Sequence, residues 1–441
     1  MKTQLYTTKY MGVLRSHHNI KTKRDRFMPI NAHRAFVSRS SGYKFALNLS
    51  DKQEQTLRNA RDDIRSEISS QFGSFAKALG DQVLFEDRAP VLVRSYQTPK
   101  FKMQGSFSYH TCNQPAHVPP QEIDLDDGLF MPVSYFQKGG DRSPVIQSAA
   151  YFSIVERILA PLCDKKGWQL VTDKPSCIRV KIDNTMHTDL ALYSVPDTDF
   201  QRIVKDAQSR GVDFTAELMM EDTAYRMLSH DEMMLAHRNE GWMKSDPRKL
   251  EDWFVDAVKQ YGEQVRTVSR YLKGWKDFQW PEGRLASIAL MAAVVSVFEK
   301  ASAAIASDRD DLALLRVAED LPDFLANDIP NPVVEGARLD QGWSPEERSD
   351  FVAKARVLAE RLKDALTQTS DRTAAFEALQ NQFGGRIPDD LTLYVPDAGL
   401  ETKASELAAP AALTLGIVEK IDSEQSDDLA AVNKQGGGRY G

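Results

Sequence analysis

The chain has 441 residues and a formal net charge of −7, with 42% hydrophobic and 27% charged residues. That length suits two lobes better than a single core, and the composition is that of a globular protein, which excludes a disordered, collagen-like or disulfide-scaffolded chain. The acidity also argues against a general nucleic-acid coat, whose affinity comes from neutralising phosphates.

Met1 to Ile20 holds no apolar run resembling a signal-peptide core, so secretion is not indicated. Cys112, Cys163 and Cys177 are few, odd in number and widely spaced, which suits a reducing compartment, and a cytoplasmic location is expected. The longest apolar stretch, Ile288 to Phe298, falls short of the roughly 20 residues that span a membrane and reads as a buried helix. Positive charge concentrates in residues 14–26, either as a solvated segment or as a lip for phosphate-bearing substrates.

Residues 51–79 carry apolar positions at helical spacing behind Asp51 and predict a long early helix. Residues 91–97 and 101–109 read as strands, and a proline-rich loop follows at 114–121. Ile123 and Leu125 then alternate with Asp124 and Asp126, which on a strand puts both carboxylates on one face. A helix is expected over 144–166 with Gly167 just past its end, then strands over 168–183 and 186–195. From 199 to about 395 the pattern turns helical, with segments near 229–239, 248–276, 283–305, 308–326, 345–368 and 372–383. Ser344-Pro345-Glu346-Glu347 has the arrangement of a capping box. Residues 422–441 are polar and glycine-rich and predict a mobile tail.

An Asp-x-Asp pair means little alone, since a chain this long holds about one by chance. Three are present, Asp124/Asp126, Asp197/Asp199 and Asp308/Asp310, but only the first lies on a predicted strand, beside a second strand that carries Asp189. Phosphoryl transfer with two metal ions needs several carboxylates converging on ions about 4 Å apart. Asp124, Asp126 and Asp189 are therefore the candidate catalytic metal ligands, and Mg²⁺, which prefers oxygen donors, is the expected ion. Gly105-Ser106 supplies a small turn whose backbone could approach phosphates closely. The alternative is that these carboxylates only cap turns and edge strands.

Asp124-Leu125-Asp126-Asp127-Gly128 loosely matches a haloacid-dehalogenase nucleophile motif, but the polar, proline-broken run before it does not suit that fold. His110, Cys112 and His117 fit no familiar zinc spacing. Neither a P-loop nor a Gly-x-Ser-x-Gly elbow is present.

Five segments taken in order resemble motifs of the bacterial cGAS/DncV-like nucleotidyltransferases, closest to the DncV branch. They are Gln104-Gly105-Ser106-Phe107-Ser108-Tyr109, Ile123-Asp124-Leu125-Asp126-Asp127-Gly128, His187-Thr188-Asp189-Leu190-Ala191-Leu192-Tyr193, Ser245-Asp246-Pro247-Arg248-Lys249-Leu250 and Tyr271-Leu272-Lys273-Gly274-Trp275. The resemblance implies an α+β fold: a DNA-polymerase-β-like catalytic lobe with a mixed sheet, and a helical C-terminal lobe. The expected division is 1–215 for the catalytic lobe with its N-terminal helix, 216–400 for the helical lobe that completes the nucleotide pocket, and 401–441 for a flexible tail.

The same resemblance implies an enzyme that joins ATP and GTP into a 3′,5′-linked cyclic dinucleotide, 3′,3′-cyclic GMP-AMP, as a second messenger in anti-phage defence. Carried over by motif, Gln104, Gly105 and Ser106 would meet the triphosphate, and Tyr109 would either stack on a base or simply pack. Lys273, Ser287 and, in a looser register, Arg179 match phosphate contacts. Ser245 and Asp246 match a guanine-selecting pair, and equally well a helix cap before Pro247. Gly441 at the end of Gly436-Gly437-Gly438-Arg439-Tyr440-Gly441 invites conjugation by an E1/E2-like partner enzyme, a thin glycine terminus being what a narrow activating channel admits. The rival expectations are a linear nucleotidyltransferase acting on RNA or a small acceptor, and a nucleotide-binding sensor without chemistry.

Overall fold

The computed structural model describes residues 27–80, 99–132, 148–195, 233–245, 247–282, 285–301 and 305–398. Met1–Asp397 forms one compact unit and Ala398–Gly441 a second, and the fold and site belong to the first.

The first unit is α+β. Strands β1 (Ile30–Asn31), β2 (Lys100–Met103), β3 (Ile123–Pro132), β4 (Gln169–Val171), β5 (Ile178–Lys181), β6 (Met186–Val195), β7 (Met234–His237), β8 (Gly241–Lys244) and β9 (Val395–Pro396) form two sheets. The larger is mixed and runs β2-β3-β6-β5-β4, with β7 also on β6 and β8 beyond it. At its centre β3 and β6 are parallel and pair over their whole length, Ile123 opposite Met186 through to Pro132 opposite Val195. The smaller sheet is β1 against β9, which brings residues near both ends of the described chain together.

The predicted helix at 51–79 forms as Asp51–Gly80 and lies with Ser148–Lys166 against one face of the large sheet. Ile64, Ile68 and Phe72 pack there with Leu129, Met131, Leu190 and Leu192. Strand alternation decides what else meets that helix. Ile123 and Leu125 bury against Leu57 and Phe107, and Asp127, one place further on the same face, is gripped by Arg65 through bonds of 2.8 and 2.7 Å. Asp127 is 1% exposed, so Arg65 supplies the charge that burial of a carboxylate requires. The opposite face, with Asp124 and Asp126, is left to the cleft.

The helices Pro247–Tyr261, Gln264–Gln279, Ser287–Ala301, Asp310–Ala326, Pro345–Lys363 and Arg372–Phe383 share a second apolar core centred on Trp275, Tyr271, Leu314 and Phe383. Phe36 and Tyr43 from the N-terminal side insert into that core, with Phe36 and Tyr271 ring centroids 5.2 Å apart. The capping box at Ser344 forms as expected, each partner's side chain bonding the other's backbone N–H. Ser287–Ala301 is the buried helix read from the Ile288 to Phe298 run. No helix among the described residues is long and apolar enough to cross a membrane.

Several elements differ from expectation. The helix expected at 229–239 is in its described part β7, which pairs with β6 (Leu235 opposite Tyr193) and with β8, extending the sheet instead. The single helix expected at 248–276 is two, broken at Gly262 with φ +93°, a left-handed geometry that stops an α-helix. The strand expected at 101–109 ends at Met103, and Gly105–Ser108 turns into one short helix. The strand expected at 168–183 is a pair, β4 and β5. Residues 91–97, 144–147, 199–232 and the tail from 399 lie outside the described residues.

Candidate active site

The parallel register of β3 and β6 sets the site. Asp124 stands opposite His187 and Asp126 opposite Asp189, so two cross-strand pairs share one face of the sheet. Ligand atoms of Asp124, His187 and Asp189 all lie within 4.8 Å of one another, and this is the cluster of that kind among the described residues. His110, Cys112 and His117 form no such group there.

Gly105 closes over this face from the other side. Its φ is +62°, and a Cβ at that position would stand 1.9 Å from Asp126 Oδ2. The backbone N–H of Gln104 donates to the Asp126 carbonyl at 2.9 Å, fixing the turn to the strand.

Electrostatics in the row are unbalanced. Asp126 is pushed up to about 7, first by burial and then by the charges of Asp124 and Asp189. Arg179, opposite Asp189 across β5 and β6, holds both its oxygens at 2.7 Å. His187, 4% exposed, places Nδ1 2.7 Å from Glu122 Oε2 and Nε2 3.0 Å from Asp124 Oδ1. Burial disfavours its charged ring, but Asp124 more than offsets this and holds the pKa above the ordinary value. Glu122 also takes Lys181 Nζ at 2.6 Å, and although burial works against its charge, Lys181 and His187 keep its pKa low.

A divalent cation fits this donor set. Asp124 Oδ1 and His187 Nε2 are buried atoms close together that make no aligned hydrogen bond, Asp189 completes the cluster with Arg179 on its carboxylate, and Asp126, outside the cluster, lies against Gly105. Added positive charge between them relieves the repulsion that raises Asp126.

Asp124 and Asp126 open into a cleft of about 530 Å³, within the usual range for small-molecule sites, and Asp189 is not part of its lining. Of the residues proposed from sequence, Gly105, Ser106, Tyr109, Asp124, Asp126, Lys273 and Ser287 line it. Lys273 lies on Gln264–Gln279 and donates to the Thr111 carbonyl at 2.6 Å; burial lowers its pKa to about 8. Tyr109 follows the short helix, is 8% exposed, and packs near Phe254 with ring centroids 6.1 Å apart. Burial, with Glu251 and Asp126 adding to it, raises its hydroxyl pKa well beyond the ordinary value.

Other expected residues sit apart from the lining. Gln104 turns its amide toward Gly128 and takes the Tyr193 hydroxyl at 3.3 Å. Arg179 is engaged with Asp189. Ser245 follows β8 with its backbone N–H on the Met233 carbonyl, and it is not part of the lining. Asp246 and Gly441 lie outside the described residues.

Sequence reasoning missed His187, Glu122, Lys181 and Lys276. Lys276 lines the cleft, one helical turn from Lys273, and bonds Ser287 Oγ at 3.2 Å. The spacing of three from Lys273 was the signal for Lys276, and the i, i+2 spacing from Asp189 was the signal for His187.

The family description "Cyclic GMP-AMP synthase DncV-like, nucleotidyltransferase domain" matches residues 99–193, and "Cyclic GMP-AMP synthase, C-terminal domain" matches residues 262–396. A curated cyclic GMP-AMP synthase of Escherichia coli is 32% identical over 305 residues, 66% of this chain and 68% of that protein. The chain belongs to the DncV-like nucleotidyltransferases. The cyclic GMP-AMP synthase of Vibrio cholerae is 28% identical over 421 residues, 84% of this chain and 94% of its own length. A crystal structure of Vibrio cholerae DncV with the linear intermediate 5′ pppA(3′,5′)pG superposes with a TM-score of 0.69 at 25% identity, covering 84% of this chain and 100% of that one. A further structure, of a DncV mutant with ATP, GTP and 5MTHFGLU2, gives 0.68. In this DncV-like chain the first family match ends at Tyr193, four residues beyond Asp189 on the same face of β6. The polymerase-β-like nucleotidyltransferase fold expected from the motifs is the fold of these relatives.

Proposed function

We propose that the protein joins ATP and GTP into a 3′,5′-linked cyclic dinucleotide, 3′,3′-cyclic GMP-AMP, and that this product serves as a second messenger in anti-phage defence. The observation that carries the reading is the pair Asp124 and Asp126 at the wall of a cleft that also holds Lys273 and Lys276, with Asp189 opposite Asp126 on the paired parallel strand. Relatives across most of the chain are named as cyclic GMP-AMP synthases, and the neighbouring DncV was solved with a linear adenine–guanine intermediate.

In this reading the 3′-hydroxyl of one nucleotide attacks the α-phosphorus of the other, the new O3′–P bond forms, the bond to pyrophosphate breaks, and a second such step closes the ring. Divalent ions, with Mg²⁺ the proposed species, would neutralise phosphate charge and favour the ionised hydroxyl when held by Asp124, Asp126 and Asp189. The chain itself supplies position and charge. Lys273 is a compact cation in a dry wall, where its interaction with phosphate is little screened. Lys276 stands a helical turn beyond it. Gly105 brings backbone close to the carboxylates without a side chain between. Tyr109 lines the cleft, where its ring would stack on a base. Most of the rate gain in such a site comes from holding reactants in line in a preorganised field.

The test is incubation of the purified protein with each labelled pair of nucleoside triphosphates and Mg²⁺, with products resolved by chromatography and mass spectrometry. The expected product is a phosphatase-resistant cyclic species that needs both ATP and GTP. Linear extension of an added acceptor, or binding without turnover, would replace this reading by one of its rivals.

A further inference from the structure

We infer that His187 is itself a metal ligand, and that its nitrogen makes the ion site between Asp124 and Asp189 bind Mn²⁺ more tightly than Mg²⁺. The inference rests on the carboxylate site proposed above and says what distinguishes it.

Three observations converge. His187 is more than nine-tenths buried, yet its Nε2 makes no aligned hydrogen bond. That atom points into the carboxylate row, 3.0 Å from Asp124 Oδ1 and 3.9 Å from Asp189 Oδ1. The other ring nitrogen is already engaged, with Nδ1 2.7 Å from Glu122 Oε2 and Glu122 anchored in turn by Lys181.

This is the arrangement of a metal-binding imidazole. A carboxylate behind the ring takes the Nδ1–H, which fixes the tautomer and ring orientation and leaves the Nε2 lone pair facing forward. Metal binding at Nε2 replaces a proton there. The strand register makes the placement rigid, because His187 and Asp189 are two residues apart on β6 and stand directly across from Asp124 and Asp126. Nε2 and Asp124 Oδ1 face each other at 3.0 Å as an ion pair without hydrogen-bond alignment, so an ion between them would take the place of the ring proton.

Donor chemistry then selects the ion. Mg²⁺ seeks an oxygen octahedron and keeps its waters. Imidazole adds more to the binding of first-row transition ions, whose affinities for nitrogen donors rise from Mn²⁺ onward. The site therefore joins two carboxylates suited to either ion with one donor suited to the transition series.

The experiment uses the full chain, without nucleotide, loaded with Mn²⁺ alone. Pulsed electron paramagnetic resonance reads directly whether a nitrogen nucleus is bound to the ion, and labelling histidine with ¹⁵N assigns that nitrogen. Calorimetry gives the Mn²⁺ and Mg²⁺ affinities. His187→Asn keeps a donor near the Nδ1 position for Glu122 while removing Nε2, and it should abolish the nitrogen coupling and lower the Mn²⁺ to Mg²⁺ affinity ratio by about tenfold or more, in line with disturbed metal-site partners. The coupling in the wild-type protein needs no variant to fold. If Mn²⁺ binding depends on Asp124 and Asp126 but shows no histidine nitrogen, the inference is overturned and the carboxylate site stands. If Asp124→Asn with Asp126→Asn leaves Mn²⁺ binding untouched, the carboxylate site fails, and the inference with it.

Discussion

Gly105 and Asp126 cannot be separated by a side chain: a Cβ on Gly105 would fall 1.9 Å from Asp126 Oδ2, and the Gly105 backbone has φ +62°. The turn after β2 is thus pressed onto the carboxylate row, and the Asp126 carboxylate is held where that turn leaves it.

Gly105→Ala should therefore damage chemistry more than folding. Left-handed backbone costs an alanine about 1–2 kcal/mol, whereas a shift of about 1 Å in a reacting group can cost on the order of 100-fold in rate. The expected result is a modest fall in melting temperature with a fall in dinucleotide synthesis of about 100-fold. Equal loss of both, or neither, would mean the close approach does not position Asp126.

The crowding of Asp126 carries a pH signature in the metal-free protein. Its folded pKa of about 7 lies above the ordinary 3.8, so between those values the folded state binds the extra proton and stability falls as pH rises. Asp126→Asn removes this dependence. The gain in melting temperature from the substitution should be larger at pH 8 than at pH 4 without metal, and divalent ions should shrink it. A gain independent of pH would show that Asp126 is not crowded by its neighbours.

Much of this site was legible in the sequence because strand alternation is a strict rule. Asp124 and Asp126 were placed on one face by Ile123 and Leu125, and Asp127 fell by the same parity on the helix side with Arg65. The competing pair at Asp308 and Asp310 is structural, Asp310 taking the Tyr271 hydroxyl at 3.1 Å. What could not be read came from long-range pairing. Met234-Leu235-Ala236-His237 is good helical sequence, and it becomes a strand because the edge of β6 beyond β5 offers a ladder. β1 and β9 hold two residues each, too short for any period to show, and they meet only through the fold. Phe107 and Tyr109 looked like strand residues, but the turn at Gly105 directs them into two different cores. His187 was missed because its i, i+2 spacing from Asp189 sets only a shared strand face, and the long-range pairing with β3 is what puts Asp124 beside it.

If Lys273 meets the triphosphate as proposed, nucleotide binding depends on pH. Burial lowers its pKa from 10.5 to about 8, so its charge in the free enzyme is lost as pH rises through about 8. The KM for the triphosphate should rise across that range in the wild type and stay flat in Lys273→Met. At pH 7 the variant should show a KM higher by about tenfold or more, since bonds to charged groups contribute roughly 1.5–3 kcal/mol. The stability effect runs the other way. Between about pH 8 and 10.5 the unfolded chain binds the extra proton, so wild-type stability from this group rises with pH, and below that window Lys273→Met should be no less stable than the wild type. A KM that ignores both pH and the substitution would remove Lys273 from the phosphate site.

The most direct test of the account is the double substitution Asp124→Asn with Asp126→Asn, assayed with labelled ATP and GTP and a divalent ion. The exchange removes two carboxylate charges, the proposed metal ligands, and almost no volume, and it relieves repulsion within the row. The account predicts a folded protein with unreduced melting temperature that forms neither linear nor cyclic dinucleotide, against a wild type that forms a cyclic product from the two nucleotides together. A folded double variant that makes the same product at the wild-type rate would contradict it.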